Sequence, residues 1–274
     1  MPLTIVAAVA AAGAFAGGLG ALLGIGGGVF LVPFLTIVLN IPIRQAVAAS
    51  LLTVIATSSS VSAARAGRSL INLRLGMLLE VATAAGGLVG GVTAYLLPPH
   101  TLFAVFGFVM LLVAVVTVAR LNIRNVIADT TIDPGRYGGR FHDDDTERDV
   151  VYRVRRLPVA LLGSFFAGNV SSLLGIGGGV LKVPLLNAWC GVPLRAAAAT
   201  SAFMIGVTAA PGAVIYYGSG DVVPTLAAAA VLGVQLGSTL GMRAGSRATV
   251  RDMKILMAVV MTIVAILMFV RAAR

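Results

Sequence analysis

The sequence predicts an all-α, polytopic integral membrane protein built as two inverted-topology repeats, with glycine-broken helices at the centre. Three observations carry this. Of 274 residues, 58% are apolar and only 11% are charged, against roughly a quarter charged in soluble domains. The charges are confined to a few stretches. The first half of the chain also matches the second at one constant offset. The mean hydropathy is +1.00, and a soluble fold of this size has too little interior for so much apolar surface. A soluble enzyme, a disordered chain and a secreted disulfide scaffold are excluded. The single Cys190 rules out a disulfide framework and a cysteine metal cluster. The net charge of +10 does not imply nucleic acid, because arginine in short loops marks the cytoplasmic side of membrane proteins.

Residues 3–39 carry no charge, and apolar stretches follow over 46–64, 75–97 and 101–119. A polar segment from Arg120 to Arg156 holds eight arginines and most of the carboxylates. Further apolar stretches cover 157–190, 196–217, 222–242 and 255–270. The full-length ones suit a hydrocarbon core of about 30 Å at about 1.5 Å per residue. The alternation a β-barrel needs is absent. The chain divides into a membrane repeat at 1–119, a linker at 120–156 and a second membrane repeat at 157–274. Within the linker, 126–149 reads as a solvated loop, from Asp133-Pro134-Gly135, Gly138-Gly139 and Asp143-Asp144-Asp145. The N-terminal stretch lacks a positive n-region and its pattern recurs at 157–174, so it reads as structural rather than as a signal peptide.

The repeat is explicit. Gly24-Ile25-Gly26-Gly27-Gly28-Val29-Phe30-Leu31-Val32-Pro33 returns as Gly175-Ile176-Gly177-Gly178-Gly179-Val180-Leu181-Lys182-Val183-Pro184, identical at eight of ten positions. The same offset of 151 pairs Phe15-Ala16-Gly17 with Phe166-Ala167-Gly168, Pro42 and Arg44 with Pro193 and Arg195, and Ser50 with Ser201. It also pairs Gly86 with Gly237 and Gly90 with Gly241. Charges in matching loops reverse. Loop 65–74 holds Arg65, Arg68 and Arg74, while 216–222 holds only Asp221; turn 98–100 lacks Lys and Arg, while 243–254 holds Arg243, Arg247, Arg251 and Lys254. The positive-inside rule then sets the two halves in opposite orientations. For that, 3–39 and 157–190 must each make an even passage, as a re-entrant hairpin or as two short spans. The linker falls in the cytoplasm and both termini outside, in a cell inner (plasma) membrane. Sixteen of 20 cations lie inside; Arg44, Arg271 and Arg274 lie outside and Lys182 within the membrane.

Three consecutive glycines followed by a proline cannot be ordinary helix, since each glycine costs about 1 kcal/mol relative to alanine. Unwound backbone at membrane depth is tolerated only inside protein or beside water. The helix restarting after the break offers free N–H groups and a positive dipole end, and bare glycines let an anion approach. Two such ends meeting near the midplane make an anion site from Gly24, Gly26, Gly27, Gly28, Gly175, Gly177, Gly178 and Gly179. The alternative is tight helix packing, which is the favoured reading for Gly86/Gly90 and Gly237/Gly241. Lys182, the one cation inside an apolar stretch, stands three residues beyond Gly179 and is placed to complete the site; otherwise it snorkels. Asn169, Ser171, Ser201 and Gln235 are candidate hydrogen-bond partners of the oxyanion, with interhelical bonding as the alternative. Arg44 and Arg195 read as interfacial anchors or guides for anions. Ser58-Ser59-Ser60 reads as interhelical polar packing. Glu80 is the only carboxylate in an apolar stretch, and its repeat partner is Val231; alone it does not make a proton relay. No acid, base, nucleophile or metal constellation lies within a span, so the chain is not expected to be an enzyme and no cofactor is implied.

The paired GIGGGxxxVP runs, each followed by Pro-x-Arg and a helix opening rich in Ser and Thr, resemble the sulfite exporter TauE/SafE family. The resemblance covers both halves outside the linker. It implies a prokaryotic inner-membrane transport protein for sulfite, sulfoacetate and related small sulfur-containing anions, often moved outward. The motif positions it carries are Gly24, Gly26, Gly27, Gly28 and Pro33, then Gly175, Gly177, Gly178, Gly179 and Pro184. Residues and resemblance together lead to a secondary transporter working by alternating access, with a small anion and the lipid bilayer as partners. The alternatives are an anion channel of the same architecture and a non-transporting scaffold or sensor. An inside-negative potential favours anion efflux by about 2.3 kcal/mol per charge per 100 mV, so uniport suffices. The oligomeric state, including a homo-oligomer, stays open.

Overall fold

In a computed structural model, residues 3–23, 27–65, 70–119, 133–143, 148–244 and 250–273 are described. The chain is all-α across its membrane segments. The first half runs α1 (Leu3–Leu23), α2 (Gly28–Pro33) continued by a π-helical turn (Phe34–Val38), α3 (Ile43–Arg65), α4 (Leu73–Leu96) and α5 (Pro99–Ala119). The second runs α6 (Leu157–Leu174), α7 (Gly179–Ala188), α8 (Leu194–Gly218), α9 (Pro224–Ala244) and α10 (Val250–Ala272). Among the described residues, seven helices (α1, α4, α5, α6, α8, α9 and α10) contain stretches long and apolar enough to cross a membrane. Each half thus has two helices flanking its glycine run and three further helices after them.

Glycine decides which helices touch. Gly233, Gly237 and Gly241 of α9 lie on the backbone of Ala10, Ala14 and Gly18 of α1. Gly86 and Gly90 of α4 lie on the backbone of Phe165 and Asn169 of α6, and Gly168 lies on that of Thr83. Any Cβ at these glycines would overlap main-chain atoms, so the packing reading of Gly86/Gly90 and Gly237/Gly241 holds. Without a hydrophobic drive between helices in lipid, such close backbone approach supplies the attraction. Ala14 and Gly18 are the repeat partners of Phe165 and Asn169, so one crossing is made twice. In each, a helix of one half is paired with a helix of the other.

The long helices α3 and α8 pack against each other through hydroxyls. Ser58, late in α3, donates to the carbonyls of Ala202 (2.8 Å) and Phe203 (3.2 Å), early in α8. At one end of the bundle Arg271 donates to Asn40 (2.9 Å) and the Tyr95 hydroxyl to Asp221 (2.7 Å). Arg44 lies there too, over the Tyr95 ring at 5.0 Å, and it donates to the carbonyls of Tyr95 and Leu97. These contacts hold Arg44 against the end of α4. The other end gathers Asn72, Thr200 and Cys190, where Asn72 N–H donates to Thr200 Oγ1 (3.0 Å) and Arg155 N–H to the Cys190 carbonyl (2.9 Å).

The linker departs from the solvated loop expected of 126–149. Strands β1 (Gly139–Asp143) and β2 (Arg148–Tyr152) form an antiparallel hairpin, with Phe141 opposite Val150. Phe141, Val150 and Tyr152 are buried in a cluster with Leu75, Leu79, Leu186, Cys190, Val192 and Met204. Two-residue periodicity puts these side chains on one face, and that face covers the helix ends. Asn72 ties the parts together. Its Oδ1 accepts from Leu75 N–H (3.0 Å) and caps α4, while its Nδ2 donates to the Tyr137 carbonyl (2.8 Å) and to the Tyr152 hydroxyl (3.1 Å).

Candidate functional site

The second glycine run is broken, as its composition demands. Helix α6 stops at Leu174, where Gly175 turns left-handed (φ 72°) and its N–H donates to the Ser171 carbonyl (2.8 Å). Gly177 (φ 79°) and Gly178 (φ 68°) are left-handed as well, conformations that side chains with a Cβ rarely adopt. Helix α7 then starts at Gly179. In the first run, α1 ends at Leu23 and α2 begins at Gly28; Gly24, Ile25 and Gly26 lie outside the described residues. Gly27 caps α2 beside the backbone of Ala16. Gly28 rests on the carbonyl of Gly175, and Ser50 donates to that carbonyl at 2.6 Å. The glycine segments of the two halves therefore meet inside the protein.

Lys182 stands on the first turn of α7 with its side chain 0% exposed. Its ammonium donates to Thr208 Oγ1 (2.7 Å) and lies 3.4 Å from Glu80 Oε2, and the Thr208 hydroxyl in turn lies 2.8 Å from Glu80 Oε1. Three elements supply this triad: α4 carries Glu80, α7 Lys182 and α8 Thr208. Burial of a lone cation is prohibitive, whereas a paired and hydrogen-bonded one is tolerated. Glu80 had stood apart as a single acid in an apolar stretch. The signal that joins it to Lys182 was present in the sequence, since the one cation and the one carboxylate within apolar segments are each other's natural partners.

Close to the glycine break lie buried hydroxyls that have no partner among the described residues. Ser171 and Ser172 are fully buried and neither Oγ has a hydrogen-bond partner in the structure. Ser171 packs beside Gly178, and so does the methyl of Thr208. Ser172 is held between Gly87 of α4 and Gly212 of α8. Unpartnered buried hydroxyls cost about 1–3 kcal/mol each, which makes such a cluster a place where a ligand's acceptors are welcome. The α7 amides, by contrast, are largely engaged: Gly179 N–H donates to the Gly177 carbonyl, and Leu181 and Lys182 N–H donate to that of Gly178. The open amide cradle expected of the second glycine run is closed in this structure.

Three candidates remain, Ser201, Asn169 and Gln235. Ser201 is buried on α8 without a partner for its hydroxyl. Asn169 contributes its backbone to the α4–α6 crossing. Gln235 on α9 accepts a hydrogen bond from Ser60 on α3, an interhelical link. A groove of about 690 Å³ between α1, α2 and α10 is lined by apolar side chains including Phe15, Phe30, Phe34 and Leu267; it suits lipid tails rather than an anion.

The family model described as sulfite exporter TauE/SafE matches residues 9–268. Over 233 residues the chain is 28% identical to the "Probable membrane transporter protein YunE" of Bacillus subtilis (strain 168), a match covering 82% of this chain and 83% of that protein. No solved structure matches. The resemblance read from the doubled glycine motif and the family match agree over almost the whole chain, and a multi-pass membrane transporter follows. The chain belongs to the sulfite exporter TauE/SafE family.

Proposed function

We propose that this membrane transporter moves small sulfur-containing oxyanions, such as sulfite or sulfoacetate, outward through an alternating-access cycle, without a chemical step. The anion site is the pocket of side chains around the second glycine break: Lys182, Thr208, Ser171 and Ser172, with Gly175, Gly177 and Gly178 keeping the approach bare. One observation carries the reading, namely a fully buried lysine on the first turn of the helix that restarts after the glycine break, with two buried serine hydroxyls that lack partners on the helix that ends there. An oxyanion supplies what these donors lack.

The inverted arrangement belongs to the same proposal. Its support is the pairing of late α3 with early α8, helices that are repeat partners, together with the reversed charges of matching loops. The linker hairpin then marks the cytoplasmic end of an inner membrane protein. The test is a thermal-shift screen of purified protein with sulfite, sulfate, sulfoacetate, taurine and carboxylates, since a ligand of the native state raises its melting temperature. Stabilisation by sulfur oxyanions that disappears in K182M is the expected result. Labelled-anion counterflow in liposomes separates a carrier from a channel, which shows no exchange. Absence of binding by every anion in the screen overturns the assignment.

A further inference from the structure

Lys182 does not wait for a substrate with an open hand, because the Glu80 carboxylate already holds it. An arriving anion competes with Glu80 for the same ammonium and for the same Thr208 hydroxyl. The buried charge then decides the outcome. The empty site, with one ammonium and one carboxylate, is neutral. With a monovalent anion added it becomes negative, a state that low-dielectric surroundings penalise heavily. A proton on Glu80 restores neutrality and leaves Lys182 to the substrate.

We propose that Glu80 is the proton-binding residue of a coupled site: a monovalent oxyanion displaces its carboxylate from Lys182, and Glu80 takes up one proton as the anion binds. This rests on the anion site proposed above and adds the coupled ion; of the substrates named there hydrogensulfite is monovalent, whereas sulfoacetate is a dianion and keeps one net negative charge when Glu80 is protonated. The balance is simple, with one anion and one proton entering together from water and no covalent bond changed. Glu80 is placed for it, keeping a side chain 13% exposed where Lys182 has 0%. Among the described residues, the ionisable group paired with Glu80 is Lys182, and E80Q separates the two as the site of uptake. Helix α6 presents no ionisable side chain and α7 only Lys182. Helix α8 carries Arg195 in its first turn and Tyr216 and Tyr217 in its last. Helix α4 itself carries Arg74 near its start and Tyr95 near its end, and α5 only His100. The hairpin face turned toward α4 presents Phe141, Val150 and Tyr152. Coupled in this way, transport is electroneutral for a monovalent anion. The driving force becomes the substrate's own concentration ratio together with the pH difference, in place of the membrane potential that drives uniport.

The experiment uses purified full-length protein and methanesulfonate, whose charge is fixed across the working pH range, with sulfate and sulfoacetate alongside. Binding heats measured in two buffers of different ionisation heat count the protons exchanged. The expected result for the wild type is close to one proton taken up per methanesulfonate, with affinity falling up to about tenfold for each pH unit of increase. In E80Q, uptake is abolished and affinity no longer depends on pH. The wild-type proton count requires no variant, so a poorly folding E80Q does not spoil the test. Binding without proton uptake in the wild type overturns the coupling and leaves the anion site standing. Failure of all three anions to bind overturns the site and the coupling with it.

Discussion

Ser50 of the first half donates its hydroxyl proton to the carbonyl of Gly175 in the second, at 2.6 Å and fully buried. This bond fixes the rim of the glycine break from the opposite repeat. Ser50→Ala leaves that carbonyl without its donor and costs about 1–3 kcal/mol, read as a lower unfolding midpoint. Ser50→Thr keeps the hydroxyl and recovers most of the bond, which separates its loss from a packing defect.

Glu80 and Lys182 form a thermodynamic unit. Removing either partner leaves a buried charge unpaired, and K182M or E80Q alone loses about 3 kcal/mol or more. The double variant K182M/E80Q regains a large part of the sum, because neither charge remains. A double-mutant cycle in thermal or denaturant unfolding measures the coupling, and strictly additive losses contradict the pairing.

The glycine crossings tolerate nothing larger. Gly237→Leu drives a side chain into the Ala14 carbonyl, and Gly86→Leu into that of Phe165. Both are expected to abolish monodisperse, folded protein in detergent. Gly218→Ala is the control, since a Cβ there meets nothing within 4 Å; its effect on the melting temperature should be that of a change within about 0.5 kcal/mol.

The hairpin is part of the folded core. Phe141→Ala removes a buried aromatic from the cluster around Leu75 and Leu79 and is expected to cost about 3–5 kcal/mol. Deleting 126–149, harmless if that stretch were only a solvated tether, takes away β1 and uncovers the helix ends. A large rise in protease sensitivity is the expected outcome for both changes, at the hairpin in Phe141→Ala and at the uncovered helix ends in the deletion.

Tyr152 gives the hairpin a defined pH limit. Burial holds its phenol above the ordinary tyrosine range, and the bond from Asn72 opposes this more weakly. A raised folded value means the contribution is complete below the unfolded pKa of about 10 and is lost as pH rises through the folded one. Stability should therefore fall above about pH 10. In Y152F that component is absent, as midpoint-against-pH curves for the two proteins will show.

Much of this architecture was readable before any coordinates. The offset of 151 placed Gly86 with Gly237 and Gly90 with Gly241, and each pair indeed makes an equivalent backbone crossing. The glycine run at 175–179 announced a break because no other composition fits three left-handed residues in five. The hairpin was hidden by its surroundings. Phe141 stands between Arg140 and His142, but Val150-Val151-Tyr152 is a short apolar run with no alternation, and the acidic and glycine-rich flanks outweighed it. The Glu80–Lys182–Thr208 triad was hidden for a different reason. Its members are 102 and 26 residues apart, and the contact breaks the internal symmetry, since Val231 and Leu31 occupy the matching places of the two charged residues.

The two crossings have a mechanical corollary. Helix α1 is clasped to α9, and α4 to α6, by main chain lying on main chain. Sliding either pair would force carbonyls past one another with no side chain to yield between them. In the alternating-access cycle proposed above, the two repeats are therefore not the moving parts. Whatever swings in this protein swings as a composite, each rigid body holding a piece of both ancestral copies, and a hinge is to be sought between α1–α9 and α4–α6 rather than in the linker that joins the repeats.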